Sequence, residues 1–383
     1  MHRLPTVACV LEIVALALAP VRPIDNHAAA AERRYLVDAH GQPARVAQSW
    51  DIHGTEWQGI GAISSLVRCG DEVFLADRNM RVRRYDLKRR ELLRDIGADN
   101  GDGRLGRPSA LAADCRGQLL YVVDGGLLTV FAYRLPSGTF YKKYPLPKTF
   151  AAGRSAEYLE SGVLQIGGLW YPEHDPNWSF NELDFEHFFD TLRFGLTLPL
   201  DTGKVATGFR AYEDKCISAA SCLVVNLARV KGSGSINWAI AQAASQHVGL
   251  YAGDGKHISS IDITSPMFLR SGIVAGPFTM AREYVLWMRD NSEIDRVFAF
   301  GKVIATSHMV TTVAPDWNFG PVSFRVHMNL HAIDGRGLVS DISLPDRPVG
   351  RDDTNIYVVD YGKAGRQPES PAVRLLLPVW SRA

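Results

Sequence analysis

The fold class the sequence predicts is all-β: a six-bladed β-propeller, five or seven blades also fitting the arithmetic, with a loop and helix insertion around residues 162–210. Three observations predict it. Two neighbouring stretches read as variants of one pattern, and each contains four short apolar runs. Turn residues punctuate the whole chain, with 34 Gly and 20 Pro among 383 residues, and no long run has a helical period.

The N-terminus precedes the ring. Met1-His2-Arg3 leads into the apolar run from Val7 to Pro20 and then to Ala28-Ala29-Ala30-Ala31, small residues that suit cleavage. This is the layout of a secretory signal peptide over residues 1–31, followed by one propeller domain over 35–383. Glu12 interrupts the apolar run, which is too short for a stable membrane span, and no transmembrane segment is expected elsewhere. The predicted location is secreted or periplasmic.

Cys9 would leave with the signal peptide. Cys69, Cys115, Cys216 and Cys222 remain, an even number that suits an oxidising compartment and allows three pairings. Cys216 and Cys222 are close enough to staple one loop. Cys69 and Cys115 hold corresponding places in the two similar stretches, where a bridge between adjacent blades is plausible. Four separate buried thiols are the alternative. A zinc site is disfavoured, because no cysteine pair has knuckle spacing and no histidine sits beside one.

The repeat itself begins at Ile63-Ser64-Ser65-Leu66, continues through Val73-Phe74-Leu75-Ala76-Asp77 and reaches Val82-Arg83-Arg84-Tyr85. The second copy runs Ala110-Leu111-Ala112-Ala113, Leu120-Tyr121-Val122-Val123-Asp124, then Val130-Phe131-Ala132-Tyr133. Cys115 follows Cys69 by 46 positions, Asp124 follows Asp77 by 47 and Tyr133 follows Tyr85 by 48. Leu92-Leu93 and Phe140-Tyr141 supply the fourth strand of each. A twisted four-stranded sheet cannot cover both of its faces alone, whereas a ring of such sheets lets each cover its neighbour.

Fainter echoes follow at Leu223–Asn226, Leu250–Ile263, Val285–Asp290 with Arg296–Phe300, and Ile356–Asp360. Roughly 350 residues at about 50–60 per blade give six. A two-layer β-sandwich is the rival architecture. Between Gly162 and Arg210 the rhythm breaks: Trp170-Tyr171-Pro172-Glu173-His174-Asp175-Pro176-Asn177-Trp178 precedes Ser179, which could cap a short helix with Leu183 and Phe188 inward. The stretch reads as an insertion over one end of the ring, where specificity is commonly built.

The link Gly101-Asp102-Gly103-Arg104-Leu105-Gly106-Arg107-Pro108-Ser109-Ala110-Leu111-Ala112-Ala113-Asp114 resembles the interblade stretch of NHL-repeat proteins, within the six-bladed superfamily that includes gluconolactonase-like enzymes. The resemblance covers Ile63 to Leu146 and implies a fold; that superfamily holds lactonases, lyases and binding scaffolds alike. Leu111–Gly117, the following Tyr-Val-Val-Asp-Gly and Tyr141–Pro147 are similar to the yellow/major royal jelly protein family, which implies small-molecule binding. The gluconolactonase-like likeness also implies an axial divalent cation held by Glu, Asn and Asp. Here Ile63-Ser64-Ser65 stands where the first Glu would be, and Asn226 and Asp290 follow strands that look outer, so no metal and no cofactor is assigned.

For chemistry, His174-Asp175 and Glu186-His187 are the catalytic candidates, since an imidazole beside a carboxylate can transfer protons. Trp170, Tyr171 and Trp178, with Phe185, could form an apolar wall for a ligand. A solvated lid sealed by its aromatics is the plainer alternative. The recurrence of Asp77, Asp124 and Asp360 at one place argues for turn closure. Asp99-Asn100-Gly101-Asp102-Gly103 is oxygen-rich but lacks the full calcium loop. His308, His327 and His331 add imidazoles that nothing places near the axis. Asn177-Trp178-Ser179 matches a glycosylation sequon. Serine-hydrolase, NTPase, metalloprotease and thioredoxin-like motifs are missing.

Charge narrows the partners. With 42 Lys+Arg against 41 Asp+Glu the net charge is +1, which disfavours nucleic acid and anionic membranes. The expected partner is a small molecule, glycan or protein bound through one propeller face. The competing expectation is a lactonase-like hydrolase or lyase acting on a sugar or small metabolite.

Overall fold

The computed structural model describes residues 36–37, 43–44, 46–51, 63–89, 91–98, 101–171, 191–206, 208–210, 225–243, 245–269, 281–313, 323–344, 347–353, 355–360 and 372–376. A short ribbon of β1 (Leu36–Val37) and β2 (Pro43–Ala44) comes first, then β3 (Val46–Asp51). The ring starts with β4 (Ile63–Cys69), β5 (Glu72–Asp77), β6 (Arg81–Asp86) and β7 (Glu91–Ile96). Next are β8 (Pro108–Asp114), β9 (Leu119–Asp124), β10 (Thr129–Arg134) and β11 (Thr139–Pro145). The third set is β12 (Phe150–Leu159), β13 (Val163–Trp170), β14 (Arg193–Pro199) and β15 (Phe209–Arg210). The fourth is β16 (Val225–Arg229), β17 (Trp238–Gln242), β18 (His247–Tyr251) and β19 (His257–Asp262). Helix α1 (Ala281–Asp290) leads into β20 (Glu293–Phe300), β21 (Val303–Thr312), β22 (Ser323–Ala332) and β23 (Gly337–Leu344). Last come β24 (Pro348–Arg351), β25 (Ile356–Asp360) and β26 (Ala372–Leu376).

The chain is an all-β propeller built of antiparallel meanders, each following the chain outward from an inner strand. The count of sheets corrects the expectation of six. Among the described residues the ring consists of five hydrogen-bonded sheets: four of four strands, and one of eight in the order β3-β26-β25-β24-β4-β5-β6-β7. The join is a parallel pairing of β24 with β4 at Gly350 and Leu66. Glycine permits it, because a Cβ on residue 350 would sit 2.2 Å from the Leu66 carbonyl oxygen. N-terminal β3 pairs with C-terminal β26, so the two ends of the chain share a sheet.

Strand alternation explains the stacking. On β5, Val73 and Leu75 pack on one side with Val349 and Tyr357, while Phe74 and Ala76 pack on the other with Leu111, Leu120 and Val122. A strand covered on both faces needs apolar residues at both parities, which is why β5, β9 and β17 read as continuous apolar runs. Each fully buried Leu or Phe contributes about 1.5–3 kcal/mol from lost water contact. The outermost β11 faces solvent over most of its length, so its Phe140-Tyr141-Lys142-Lys143 alternation carries little packing information.

Two further expectations are corrected. Much of the predicted insertion at 162–210 belongs to the third sheet, as β13, β14 and β15. Gly167 and Gly168 hid β13, and Gly168 is needed there: at φ 155° its Cβ would meet the Ala151 carbonyl at 2.4 Å. Residues 172–190 lie outside the described residues. Val285–Asp290, expected to be a strand, lies in α1, whose end is closed by Asn291 Nδ2 donating to the Trp287 carbonyl at 2.7 Å. Trp287 and Met288 are buried, so the apolar spacing that suggested a strand serves one face of a helix.

Candidate functional site

Every inner strand except β16 carries one feature that organises the axis. β4, β8, β12, β20 and β24 each carry a register irregularity near their start: between Ile63 and Ser65, Pro108 and Ala110, Ala152 and Ala156, Ile294 and Arg296, and Pro348 and Gly350. Such bulges release a residue from the ladder and re-aim it. The freed positions are Ser64, Ser109, the Gly153-Arg154-Ser155 stretch, Asp295 and Val349.

These residues bind the strands to one another. Ser64 Oγ donates to the Pro108 carbonyl at 2.9 Å, Ser65 Oγ accepts from the Leu111 amide at 3.1 Å, and Ser155 Oγ accepts from the Leu227 amide at 2.8 Å. Asn226 Nδ2 donates to the Asp295 carbonyl at 2.8 Å. Arg296 is the hub. Its guanidinium donates to the carbonyls of Pro348 (3.1 Å), Arg154 (2.6 Å) and Ser64, and to Asn226 Oδ1 (3.4 Å), so one side chain spans β24, β12, β4 and β16.

Next to it the buried Asp295 accepts from Arg154 Nη1 at 2.9 Å, with Arg347 at 3.8 Å from the same Oδ1. Asp295 Oδ2 is buried and makes no hydrogen bond among the described residues. Burial pushes this carboxyl up, and Arg347, Arg154, Arg296 and Arg78 together outweigh it, so the group titrates below its ordinary range. Burial and the guanidinium charges of Arg154 and Arg347 outweigh the pull of Asp295 and bring Arg296 down to about 9. Arg78 also falls to about 9, first through burial and then through Arg154, Arg107, Arg347 and Arg296. Both remain protonated at neutral pH.

Topology places these groups at one end of the ring. Ile63 at the head of β4 pairs with Asp77, so Arg78 leaves β5 where β4 begins. Arg107 and Arg347 each stand one residue before an inner strand, at Arg107-Pro108 and Arg347-Pro348. Trp170 pairs with Phe150 at the head of β12, so Trp170 and Tyr171 lie at this end too. Tyr171 is buried, which raises its phenol pKa, and it packs with Leu169, Leu192 and Phe194.

His174, Asp175, Trp178, Glu186 and His187 lie outside the described residues, as do Cys216 and Cys222. Cys69 and Cys115 form a disulfide that ties the end of β4 to the turn after β8. Asp290 ends α1 on the surface, paired with Arg289 at 2.6 Å. Asp254 caps the Lys256 amide in a turn. Asn226, expected after an outer strand, instead belongs to the inner strand β16 and reaches the axial cluster. Asp77 and Asp124 close turns: Asp124 accepts the amides of Gly106, Arg107, Gly126 and Leu127, and Asp77 accepts the Asn79 amide and pairs with Arg83 at 3.2 Å. Asp360 lies at the end of β25, its side chain outside the described residues. Asp99 and Asn100 lie outside them as well, and Asp102 reaches Lys143 at 3.7 Å.

The late histidines are off the axis, on one face of the fifth meander. His308 is buried, its ring stacked on His327 with centroids 5.5 Å apart, edge-on to Phe268, and its Nδ1 3.0 Å from Asn329 Nδ2. Burial, helped by His327, pulls His308 down to about 3, and burial lowers His327 and His331 as well. Among the described residues no group of three or more His, Cys, Asp or Glu could hold a metal ion. No helix among them is long and apolar enough to cross a membrane.

The ring resembles known propellers. A DUF4221-family protein from Bacteroides vulgatus aligns with a TM-score of 0.60 at 11% identity, covering 87% of this chain and 96% of that one. A Bacteroides fragilis protein assigned as exported aligns at 0.53 and 9%, covering 86% and 94%. The WD40 repeats of RRP9 align at 0.51 and 10%, covering 88% and 99%. No protein-family model and no curated protein matches the chain. At these identities the likeness is one of fold.

Proposed function

We propose that this chain is an exported β-propeller that binds a small molecule at the end of the ring where its inner strands begin. The observation that carries this reading is Asp295: a buried carboxylate released from its ladder by a bulge, among arginines from several parts of the ring, with one oxygen unpartnered among the described residues. A group with a purely architectural role would be expected to have both oxygens satisfied. Extracytoplasmic location draws support from the signal-like N-terminus, the Cys69–Cys115 disulfide and the likeness to a protein assigned as exported.

We also read the eight-stranded sheet as two blades joined by the Gly350–Leu66 pairing, giving a sixfold repeat. The facing of Val73 and Leu75 against Val349 and Tyr357 supports this reading, since the two halves stack like neighbours. The sixfold count agrees with the NHL-like stretch. An enzyme of the lactonase-like type needs imidazoles and carboxylates converging on the axis. Of the described candidates for that role only Asn226 reaches it, which favours binding over catalysis.

The test is a thermal-shift screen of neutral and charged small molecules against the wild type and Arg154→Met. Compounds that raise the wild-type melting temperature and lose that effect in the variant support the site. A screen in which every hit stabilises both proteins equally places binding elsewhere and sinks the reading.

A further inference from the structure

We propose that the ligand at this end of the ring is a small acid bearing two or more oxyanion groups, carboxylate or phosphate, and a hydrogen-bond donor. The inference rests on the axial site described above and assigns its chemistry. Arg78 and Arg107 would take the acid groups, and Asp295 Oδ2 would accept from the donor.

The argument starts from how this protein treats arginines elsewhere. Arg83 meets Asp77 and Asp95, Arg84 meets Glu72 at 2.7 Å, and Arg351 meets Glu157 at 3.0 Å. Several partly buried guanidinium groups in this fold are thus matched with carboxylates, which offsets the cost of desolvating a charge. Arg78 departs from that pattern. It is half-buried, its electrostatic neighbours include Arg154, Arg107, Arg347 and Arg296, and it makes no hydrogen bond or ion pair among the described residues. The Arg107 side chain is also without one, although its backbone amide is held by Asp124.

The remaining arginines are committed and shape the field. Arg296 is spent on strand carbonyls, Arg154 on Asp295, and Arg347 lies over the Phe324 ring at 4.7 Å. Asp295, held ionised by the surrounding guanidinium groups, supplies negative charge from β20. The protein's net charge is +1, so this positive field is local and not a property of the whole surface. Two planar forks beside a buried positive cluster suit paired oxyanions, which guanidinium binds bidentately. A neutral sugar would leave those guanidinium charges uncompensated. A nucleic-acid strand needs an extended basic track, which a cluster at the ring axis does not provide.

The experiment is isothermal titration of the purified full chain with citrate, pyrophosphate, glucose and a short single-stranded oligonucleotide, at several NaCl concentrations. The proteins are the wild type, Arg78→Ala/Arg107→Ala and Asp295→Asn, with far-UV circular dichroism to establish folding. The expected result is binding of citrate or pyrophosphate, weakened at least tenfold in the double variant and progressively by salt, with glucose silent. Whichever of the two acids binds identifies the oxyanion. Equal acid affinity in wild type and double variant overturns the proposal, as does oligonucleotide binding at least as tight as that of the acids. If neither acid binds but neutral compounds stabilise the wild type and not Arg154→Met, the ligand class fails and the site stands. If no compound distinguishes Arg154→Met, both fail. Should the double variant not fold, the single Arg78→Gln change carries the same comparison.

Discussion

Replacing Arg296 with Met removes the guanidinium that joins four inner strands while keeping an unbranched side chain of similar reach. The carbonyls of Ser64, Arg154 and Pro348 lose a charged donor, and Asn226 Oδ1 loses a weaker one. Each buried acceptor left unpaired costs about 1–3 kcal/mol, and removing one member of a buried ionic cluster costs about 3–5 kcal/mol. A loss of about 4 kcal/mol corresponds to a fall in melting temperature of about 5 °C for a chain of this size. Guanidinium chloride unfolding monitored by tryptophan fluorescence measures it, with the m value showing that both proteins unfold the same surface. Arg296→Lys should fall between, because an ammonium keeps the charge and loses the fork. A midpoint shift worth less than 1 kcal/mol in Arg296→Met would refute the hub.

Three further outcomes follow from the same geometry. Asp124→Ala strips an acceptor from the amides of Gly106, Arg107, Gly126 and Leu127 and should destabilise by about 2–4 kcal/mol in denaturant unfolding, whereas an aspartate serving catalysis would leave stability intact. Reducing Cys69–Cys115, or changing both to Ser, reopens a separation of 46 residues and should cost about 2–4 kcal/mol by chain entropy; unchanged unfolding would mean the bridge constrains nothing. His308 is held neutral with a pKa of about 3, below its unfolded value, so its contribution is complete above pH 6.5 and is lost as pH falls toward 3. About 2 kcal/mol should be gone by pH 5, and His308→Gln should flatten that part of the stability profile. A slope unaltered by the substitution would place the titration elsewhere.

The fold was largely legible because apolar runs and turns report burial directly. Val73–Asp77 and Leu120–Asp124 are covered on both faces, and a ring of stacked sheets needs that pattern in every unit. The echo at Val285–Asp290 misled, since a few apolar residues in a row fit a helix face as well as a strand. β13 was masked by Gly167-Gly168, which are there for backbone clearance and not for a turn. The join of β24 to β4 depends on one glycine meeting one carbonyl in space, and nothing local in the sequence marks it.

The site was much less legible, for a reason built into repeat proteins. A search for self-similarity finds what every sheet needs, and so it picks out Asp77 and Asp124, which close turns. The residues that join the inner strands to one another, Ser64, Arg154, Asn226, Asp295 and Arg296, each occur once and so leave no repeat to find. The paired Arg107-Pro108 and Arg347-Pro348 steps before inner strands were a usable signal, because each sets an arginine at the same end of the ring. The even charge balance concealed them. A net charge of +1 speaks against a broad basic surface, and it says nothing about arginines gathered at one point.

The most direct test of the central claim is a crystal of this protein grown with selenate, a heavy-atom oxyanion, with data collected at the selenium edge. The account predicts an anomalous peak at the arginine-bearing end of the ring, within hydrogen-bond reach of Arg78 or Arg107, that disappears in crystals of the Arg78→Ala/Arg107→Ala variant. Selenate bound only to other surfaces, with the axial end holding none, would contradict it.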